Sequence, residues 1–240
     1  MKNPNGPYPG RQLFLGMTAD KRPAFAYLVT GRSPQSRERK ATPMGDSIIM
    51  GPIGSQQYDW LRHYAALKYD NAIGLAAVSN GIQTEAIFET YKLLFHTGSA
   101  PAKSYLKKIM DGANFEPDSL STPRIAGVIT NPAGKNEPVF NISIVTHGRP
   151  AAAWQVKPEP GAFYGVSTYH GNMESPGAFD IDGGLAELKC GAKTPREIAD
   201  FIYDISAANY QGDDIRVCAI GGIRGADNTW KVALINRYKG

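Results

Sequence analysis

The order of strand-like and helical segments restricts the fold of this sequence more than any other feature does. Strand-like segments come first, helical segments occupy the middle, and strand-like segments return before and after one further helix. A doubly wound parallel sheet needs strands and helices that alternate along the chain. The order found here instead predicts an α+β fold, in which mostly antiparallel sheets carry helices on their outer sides.

Hydrophobic periodicity and turn residues set the bounds of the predicted elements. Helices are predicted over residues 83–96 and 101–110. A third helix is predicted to begin at 194–197, which has the residues of a capping box after a Thr-Pro start, and to end at Ala208. The glycine-rich segment 221–225 is predicted to be a hairpin turn. Strands are predicted over residues 11–17, 24–29, 64–69, 74–79, 124–129, 139–145, 151–156, 163–168, 215–220 and 230–235.

Two segments in the first third of the chain are harder to assign. Residues 60–67 are compatible with either a strand or a helix, because Trp60, Tyr64 and Leu67 recur at helical spacing. Residues 30–43 are rich in arginine, serine and proline and are predicted to form a loop. Within that loop, the basic stretch from Arg32 to Lys40 is either a solvated surface or a site for a small anion such as a nucleotide phosphate.

Composition and charge argue against several classes of protein. The 240 residues fit one domain spanning 1–240. A net charge of +4 without a dense basic stripe disfavours a nucleic-acid binder. No apolar run approaches the roughly 20 residues that cross a bilayer, and the polar N-terminus has no signal-peptide core. Cys190 and Cys218 are far apart and are expected to stay thiols, so a cytoplasmic location is expected.

The familiar catalytic and metal-binding motifs do not occur in this sequence. Its four histidines have no metal-ligand spacing, and no HExxH or paired-cysteine motif is present. A phosphate-binding P-loop and a GxSxG nucleophile turn are also missing. We therefore predict no metal site and no organic cofactor.

Polar residues at the ends of predicted strands are the remaining candidates for a small-ligand site. Ser79, Asn80 and Gly81 lie between a strand and a helix, where backbone amides and hydroxyls can bind an anion. The alternative is an ordinary Asn-Gly turn, which the spacing alone favours. Residues 121–124 and 167–170 occupy similar positions, at the start and at the end of strands. Spacing alone assigns none of these segments a function.

Taken together, these segments resemble the archaeal-type, stand-alone IMP cyclohydrolases. They occur in the family's order and at nearly its spacing over most of the chain. The matching segments are Gly31–Arg37, Tyr64, Val78–Gly81, Phe115-Glu116, Leu120–Ala126, Val166–Tyr169 and Thr194–Ile202.

The resemblance implies both a fold and a reaction. The fold is a four-layer αββα sandwich of the N-terminal-nucleophile hydrolase type. Autoprocessing is not expected, because no Ser, Thr or Cys stands as residue one. The reaction is dehydrative closure of 5-formamidoimidazole-4-carboxamide ribotide (FAICAR) to inosine monophosphate (IMP), the last step of de novo purine biosynthesis. A related ribotide cyclohydrolase or amidohydrolase and a non-catalytic purine-nucleotide-binding protein are the alternatives.

The resemblance also implies site residues and partners. The family's active-site arginine, tyrosine and glutamate fall on Arg37, Tyr64 and Glu116, although the tyrosine assignment can shift to Tyr69. The expected partner is the nucleotide substrate, with no nucleic acid and no membrane, and association into a homo-oligomer is left open. The residues expected to bind substrate are Arg32, Ser33, Ser79, Asn80, Gly81, Thr84, Arg124, Thr168 and Tyr169.

Overall fold

A computed structural model describes residues 2–54, 59–132 and 137–238. The helices are α1 (Pro34–Arg37), α2 (Gln83–His96), α3 (Lys103–Ala113) and α4 (Pro195–Ile205). The strands are β1 (Arg11–Met17), β2 (Pro23–Thr30), β3 (Arg39–Met44), β4 (Ser47–Pro52), β5 (Tyr64–Asp70), β6 (Leu75–Ser79), β7 (Arg124–Thr130), β8 (Val139–Val145), β9 (Ala152–Val156), β10 (Ala162–Ser167), β11 (Tyr169–His170), β12 (Gly177–Ala178), β13 (Ala186–Lys189), β14 (Asn209–Tyr210), β15 (Asp213–Asp214), β16 (Arg216–Arg224) and β17 (Trp230–Asn236).

Two antiparallel sheets form the body of the protein. One has seven strands in chain order from β3 to β9, and the other has six in the order β13-β10-β1-β2-β16-β17. Two short ribbons, β11-β12 and β14-β15, lie outside these sheets. The predicted α+β class with mostly antiparallel sheets is therefore confirmed.

Apolar side chains of the two sheets form a common core. Leu13 and Tyr27 from one sheet and Met50 and Ile142 from the other belong to the same buried cluster. A second cluster lies beneath α2 and α3, which contact the seven-stranded sheet. A third lies beneath α4, which contacts the six-stranded sheet. Burial of these apolar surfaces is the main term that favours folding.

The ambiguous segment is not a helix, because residues 60–63 form a turn and residues 64–67 belong to a strand. Tyr64 begins β5, which pairs with β6 as the predicted hairpin. The helical spacing of Trp60, Tyr64 and Leu67 is coincidental, because Tyr64 and Leu67 both point into the core between the sheets. The predicted α4 start is also confirmed, since Thr194 and Glu197 form a reciprocal capping box.

Three sequence-based assignments were wrong. Residues 30–43 are not one loop, because β3 begins at Arg39 and pairs with β4. Helix α4 ends at Ile205 rather than at Ala208. The glycine-rich segment predicted as a turn belongs to β16, where a Cβ at Gly222 would stand 2.1 Å from the Phe25 ring. Glycine occurs there because the neighbouring ring leaves no room for a side chain.

One end of each sheet brings the polar residues together. In the six-stranded sheet, Arg11 begins β1, and β2 and β10 end beside it. In the seven-stranded sheet, Tyr64 and Arg124 begin β5 and β7, next to the end of β6. The antiparallel pairing therefore places segments that are distant in sequence around one opening. Within the described residues, no helix is long and apolar enough to cross a membrane.

Candidate active site

A cleft of about 630 Å³ opens at this end of the sheets. That volume lies within the range of small-molecule sites. Arg11, Arg32 and Arg39 line the cleft together with one carboxylate residue, Asp118. Among the described residues, no carboxylate oxygen lies within 4.0 Å of a side-chain nitrogen of Arg32 or Arg39. The cleft is therefore suited to an anionic ligand.

Arg11 forms a buried ion pair with Glu116 beneath the cleft. Its Nη2 donates to both carboxylate oxygens, at 2.5 Å for Oε2. The Thr168 hydroxyl accepts from the Arg11 backbone amide at 3.1 Å and so fixes the start of β1. Burial acts to lower the pKa of Arg11, but the charge and hydrogen bonds of Glu116 outweigh it and raise that pKa overall. The Arg11 guanidinium is thus held charged in a site shielded from water.

Glu116 lies in a tightly organised loop between α3 and β7. The Asp118 carboxylate accepts from the backbone amide of Thr122 at 2.9 Å and from its hydroxyl at 2.5 Å. The Glu116 amide donates to the Thr122 carbonyl at 2.8 Å. Asn114 and Ser121, near the two ends of the loop, have φ angles of 56° and 48°. Such left-handed conformations are costly for residues other than glycine and often occur near functional sites.

Tyr64 forms a hydrogen bond between the two sheets. Its hydroxyl lies 3.1 Å from that of Tyr27, which is on the opposite sheet. Burial raises the pKa of Tyr64, while the charges of Arg39 and Arg11 oppose that rise. Tyr69 lies at the other end of β5 and donates to the Gly45 carbonyl at 3.4 Å. Of the two candidate tyrosines, only Tyr64 is therefore close to Arg11 and Glu116.

Arg124 brings a second buried guanidinium to the site. Its Nη1 donates to Gln83 Oε1 at 3.0 Å, and its guanidinium lies 5.5 Å from the centre of the Trp60 ring. Its Nε has no hydrogen-bond partner among the described residues. Burial lowers the pKa of Arg124, with a partial opposing effect of Glu116. A Cβ at Gly81 would stand 2.0 Å from Arg124 Nη1, so glycine makes room for this side chain.

Asn80 connects Glu116 to the start of β7. Its amide nitrogen donates to the Pro123 carbonyl at 3.0 Å and, more weakly, to Glu116 Oε1 at 3.4 Å. Its amide oxygen accepts from the Ile125 backbone at 2.7 Å. Asn80 is thus placed to orient the carboxylate as well as the strand.

The arginines of the basic stretch from Arg32 to Lys40 lie in two different environments. Arg32 donates to the Met173 carbonyl at 2.8 Å, lies over the Tyr8 ring and lines the cleft. Arg39 lines the cleft and donates to the Ser36 carbonyl at 2.8 Å. Arg37 points elsewhere, because its guanidinium donates to the Arg32 carbonyl and to Asp213 at 2.6 Å. Its expected catalytic role stays a prediction that this placement does not favour.

Several of the residues expected to bind substrate form hydrogen bonds within the protein. The hydroxyls of Ser79 and Thr84 lie 2.5 Å apart, and Thr84 also donates to the Ala65 carbonyl. The Ser33 hydroxyl accepts from the Ser36 amide at 3.1 Å, as the N-cap of α1, and this residue also lines the cleft. Contact of substrate with Ser79, Thr84 or Thr168 stays a prediction, because each hydroxyl already has protein partners.

One wall of the cleft is aromatic. The rings of Tyr8 and Tyr169 are stacked with centroids 5.6 Å apart. The Tyr169 hydroxyl lies 2.5 Å from that of Thr122, in the loop that carries Glu116. Burial raises the pKa of Tyr169 to about 12, so this hydroxyl keeps its proton at neutral pH.

Sequence reasoning missed Arg11, Tyr27, Arg39 and Gln83 as members of the site. Arg11 carries the same signal that drew attention to Arg124, since both are charged residues at the start of an apolar strand. Arg39 lies within the basic stretch that was considered as an anion site. Tyr27 carries no such signal, because a tyrosine inside an apolar strand is indistinguishable from a core residue. No group of three or more metal-ligating side chains is found in the part of the chain that the structure describes.

Comparisons with known proteins place this chain among named relatives. A family model described as "IMP cyclohydrolase-like protein" matches residues 8–228. The chain is 28% identical over 198 residues to an IMP cyclohydrolase of Methanocaldococcus jannaschii, covering 81% of this chain and 85% of that protein. It is 32% identical over 127 residues to an IMP cyclohydrolase of Methanothrix thermoacetophila, covering 51% of this chain and 58% of that protein.

Proposed function

Because this chain belongs to the IMP cyclohydrolase-like family, we propose that it catalyses the closure of FAICAR to IMP with loss of water. The observation that carries the proposal is the buried Glu116 carboxylate, held beside Arg11 beneath a cleft lined by arginines. The carboxamide nitrogen of the ribotide attacks the formyl carbon of the same molecule. Much of the rate gain comes from holding these two groups in a near-attack geometry.

The arginines at the mouth of the cleft suit the phosphate of the ribotide. Arg32 and Arg39 line the cleft, and within the described residues neither is neutralised by a carboxylate in contact. Arginine is well matched to phosphate, because its planar guanidinium can donate two parallel hydrogen bonds. We assign phosphate binding to Arg32 and Arg39.

Glu116 and Tyr64 suit the two proton transfers. In the ring-closing step the carboxamide nitrogen loses one proton and the formyl oxygen gains one to become a hydroxyl. That hydroxyl then leaves as water with a second proton, which the formamide nitrogen releases as the ring C=N bond forms. Glu116 is the base in this assignment, and Tyr64 is the acid. The positive charges of Arg39 and Arg11 oppose the burial-driven rise of the Tyr64 pKa and thereby favour its role as an acid.

Arg11 and Arg124 suit the charge that develops on the formyl oxygen. Both guanidinium groups are buried, and a charge–charge interaction is stronger where water is excluded. Arg124 Nε has no hydrogen-bond acceptor among the described residues, so this donor is available to the oxyanion. We assign oxyanion stabilisation to these two residues rather than to Arg37, whose guanidinium binds Asp213.

The remaining expectations belong to the same proposal. The sheet pair with α2 and α3 on one side and α4 on the other is consistent with a four-layer αββα sandwich of the N-terminal-nucleophile hydrolase type. We propose a single domain over residues 1–240 that works in the cytoplasm. Its chemistry requires neither a metal nor an organic cofactor. Its partner is the nucleotide substrate, and association into a homo-oligomer is compatible with this proposal.

The test is turnover by the purified protein. FAICAR is incubated with the protein in the presence of a chelator, and IMP is followed by absorbance and chromatography. We expect formation of IMP well above the uncatalysed rate. IMP binding without turnover would instead identify a non-catalytic nucleotide-binding protein, and turnover of another ribotide alone would identify a related cyclohydrolase.

Two substitutions test the assigned residues. We expect Glu116→Gln and Tyr64→Phe each to lower kcat by about 100-fold or more, as is typical when a general acid or base is removed. Glu85→Gln and Tyr105→Phe are matched controls at exposed positions on α2 and α3, and each is expected to retain wild-type kcat. Wild-type turnover in both Glu116→Gln and Tyr64→Phe would refute the site assignment, even if the protein forms IMP.

A further inference from the structure

Tyr27 is a fully buried tyrosine whose hydroxyl faces the site from the opposite sheet. Its side chain has no exposed surface, and its hydroxyl lies 3.1 Å from that of Tyr64. Among the described residues, neither hydroxyl has a second hydrogen-bond partner within the protein. A tyrosine buried only for packing does not need this contact, since phenylalanine fills nearly the same space.

The two hydroxyls carry two protons but share one hydrogen bond. One hydroxyl must donate, so the proton of the other remains available. Glu116 acts electrostatically on Tyr64, and its negative charge attracts a hydroxyl proton on that side. Donation from Tyr27 to Tyr64 is therefore the favoured direction, and the Tyr64 proton then points toward Glu116 and the cleft.

The electrostatic environments of the two hydroxyls support the same direction. Burial raises the pKa of Tyr27 well above its ordinary value, and the neighbouring Tyr64 raises it further. For Tyr64, Arg39, Arg11 and the hydrogen bond from Tyr27 all oppose the effect of burial. Tyr64 is thus the member of the pair better able to release a proton.

We propose that Tyr27 is a positioning residue whose hydroxyl donates a hydrogen bond to the Tyr64 oxygen. This hydrogen bond directs the Tyr64 proton toward the formyl oxygen. This inference rests on the proposed function. As the proton is transferred, the Tyr64 O–H bond breaks and a new O–H bond forms on the formyl oxygen. The Tyr27 hydrogen bond stabilises the resulting tyrosinate. The proton that Glu116 takes from the carboxamide nitrogen then restores Tyr64, so the exchange is balanced.

The experiment is a double-mutant cycle on the full chain. Turnover of FAICAR is measured for Tyr27→Phe, Tyr64→Phe and the double variant. We expect Tyr27→Phe to lower kcat about tenfold, which corresponds to about 1.4 kcal/mol of transition-state stabilisation, with KM within about twofold of wild type. Because Tyr27 acts through Tyr64, the double variant is expected to have the kcat of Tyr64→Phe alone.

Tyr91→Phe is the matched control. Tyr91 lies on α2 and is also buried. Its hydroxyl donates to the Ala102 carbonyl, so this substitution also removes a hydrogen-bonded hydroxyl. We expect it to retain wild-type kcat. An equal kcat loss in Tyr27→Phe and Tyr91→Phe would mean that the effect is structural and would overturn the proposal.

The remaining outcomes distinguish this proposal from the proposed function. Wild-type kcat in Tyr27→Phe, with Tyr64→Phe inactive, overturns the role of Tyr27 and leaves the function intact. Additive losses in the double variant overturn it as well. Wild-type kcat in Tyr64→Phe overturns the assignment of the acid, and the role of Tyr27 with it.

A second substitution covers the case in which Tyr27→Phe does not fold. Incorporation of 3-fluorotyrosine at position 27 keeps the ring and the hydroxyl but makes the hydroxyl a stronger donor. The groups that act on Tyr64 are Arg39, Arg11, Tyr27 and Glu116. A stronger donor lowers the pKa of Tyr64, so the alkaline limb of the kcat profile moves to lower pH. An unmoved limb would contradict donation from Tyr27.

Discussion

At the scale of single residues, the two buried arginines of the site differ in whether a carboxylate forms an ion pair with them. Glu116 forms an ion pair with Arg11, whereas the buried Arg124 has no ion-pair partner among the described residues and contacts the amide of Gln83 and the face of Trp60. A buried charge without a counter-charge is costly. An anionic ligand supplies the missing charge, so binding and stability depend on the same side chains.

The contrast between the two buried arginines gives the first prediction. Arg124→Met removes an uncompensated charge, so we expect the free energy of unfolding to fall by less than about 1 kcal/mol, or to rise. Arg11→Met leaves Glu116 unpaired and is expected to cost about 3 kcal/mol or more. Both substitutions should lower kcat/KM for FAICAR about 30-fold or more. Urea unfolding and initial-rate kinetics measure these quantities, and equal loss of stability in the two variants would contradict the argument.

Arg37, the last residue of α1, and Arg39, the first residue of β3, give the second prediction. Arg39 lines the cleft and Arg37 binds Asp213, so we expect Arg39→Gln to raise KM for FAICAR about tenfold or more. Arg37→Gln is expected to leave kcat within about threefold of wild type. Kinetics of the two variants under the same conditions make the comparison. A large kcat loss confined to Arg37→Gln would restore the assignment that the family resemblance implies.

At the scale of secondary-structure elements, some positions of a strand must be glycine because a neighbouring side chain or helix packs directly against the strand backbone. Hydrophobic periodicity does not identify these positions. Gly222 lies in the middle of β16 opposite Phe25, and Gly221 lies against α4, where a Cβ would stand 2.2 Å from the Pro195 carbonyl oxygen. Two adjacent glycines usually indicate a turn. Here they allow a ring and a helix to pack directly on the strand backbone.

Gly222 gives the third prediction. The added methyl group of Gly222→Ala overlaps the Phe25 ring, so we expect a loss of about 2 kcal/mol or more in the free energy of unfolding. Gly112→Ala is the matched control, because Gly112 is exposed in α3 and a methyl group added there meets no described atom within 4 Å. This control is expected to gain about 0.5 to 1 kcal/mol, as alanine favours helix. Urea unfolding of both variants measures these changes. An unchanged free energy of unfolding for Gly222→Ala would disprove the packing argument.

At the scale of the whole molecule, buried hydroxyls and thiols couple the stability of the fold to alkaline pH. Burial raises the pKa of Tyr169 from its ordinary value of 10.0 to about 12, and that of Cys218 from 9.0 to about 12. Burial also raises the pKa values of Tyr27 and Tyr64. The folded state therefore holds protons in a pH range where the unfolded chain has released them.

This coupling gives the fourth prediction. The contribution of Tyr169 is fully present below pH 10 and is lost as the pH rises toward 12, so the free energy of unfolding should fall over that window. We expect Tyr169→Phe to reduce this fall by about 3 kcal/mol, because its pKa rises from 10.0 to about 12 on folding and each factor of ten in proton affinity is worth about 1.36 kcal/mol. Tyr105→Phe, at a partly exposed ring, is expected to leave the pH dependence unchanged. Urea unfolding at a series of pH values tests this, and equal slopes for the wild type and Tyr169→Phe would contradict it.

The sequence alone determined the fold class and most of the longer elements of this protein, but not α1, β3, β4 or β13. Apolar runs in β1 and β2, the apolar–polar alternation in β8, and the capping residues at Thr194 are local signals that act over a few residues. The sequence also pointed to Glu116, Tyr64 and Arg124, and the structure places these residues at the same end of the two sheets. Resemblance to a family, rather than local pattern, directed attention to Glu116 and Tyr64.

Only the tertiary structure decided which of these residues meet. Arg11 and Glu116 are 105 positions apart in the chain, and Tyr27 and Tyr64 face each other across two different sheets. Arg37 and Arg39 are two residues apart, yet one binds Asp213 and the other lines the cleft. Periodicity reports which face of a strand is buried, whereas partner choice depends on how the sheets stack and where each strand ends. That geometry is set by packing across the whole core, so no local segment of the sequence carries it.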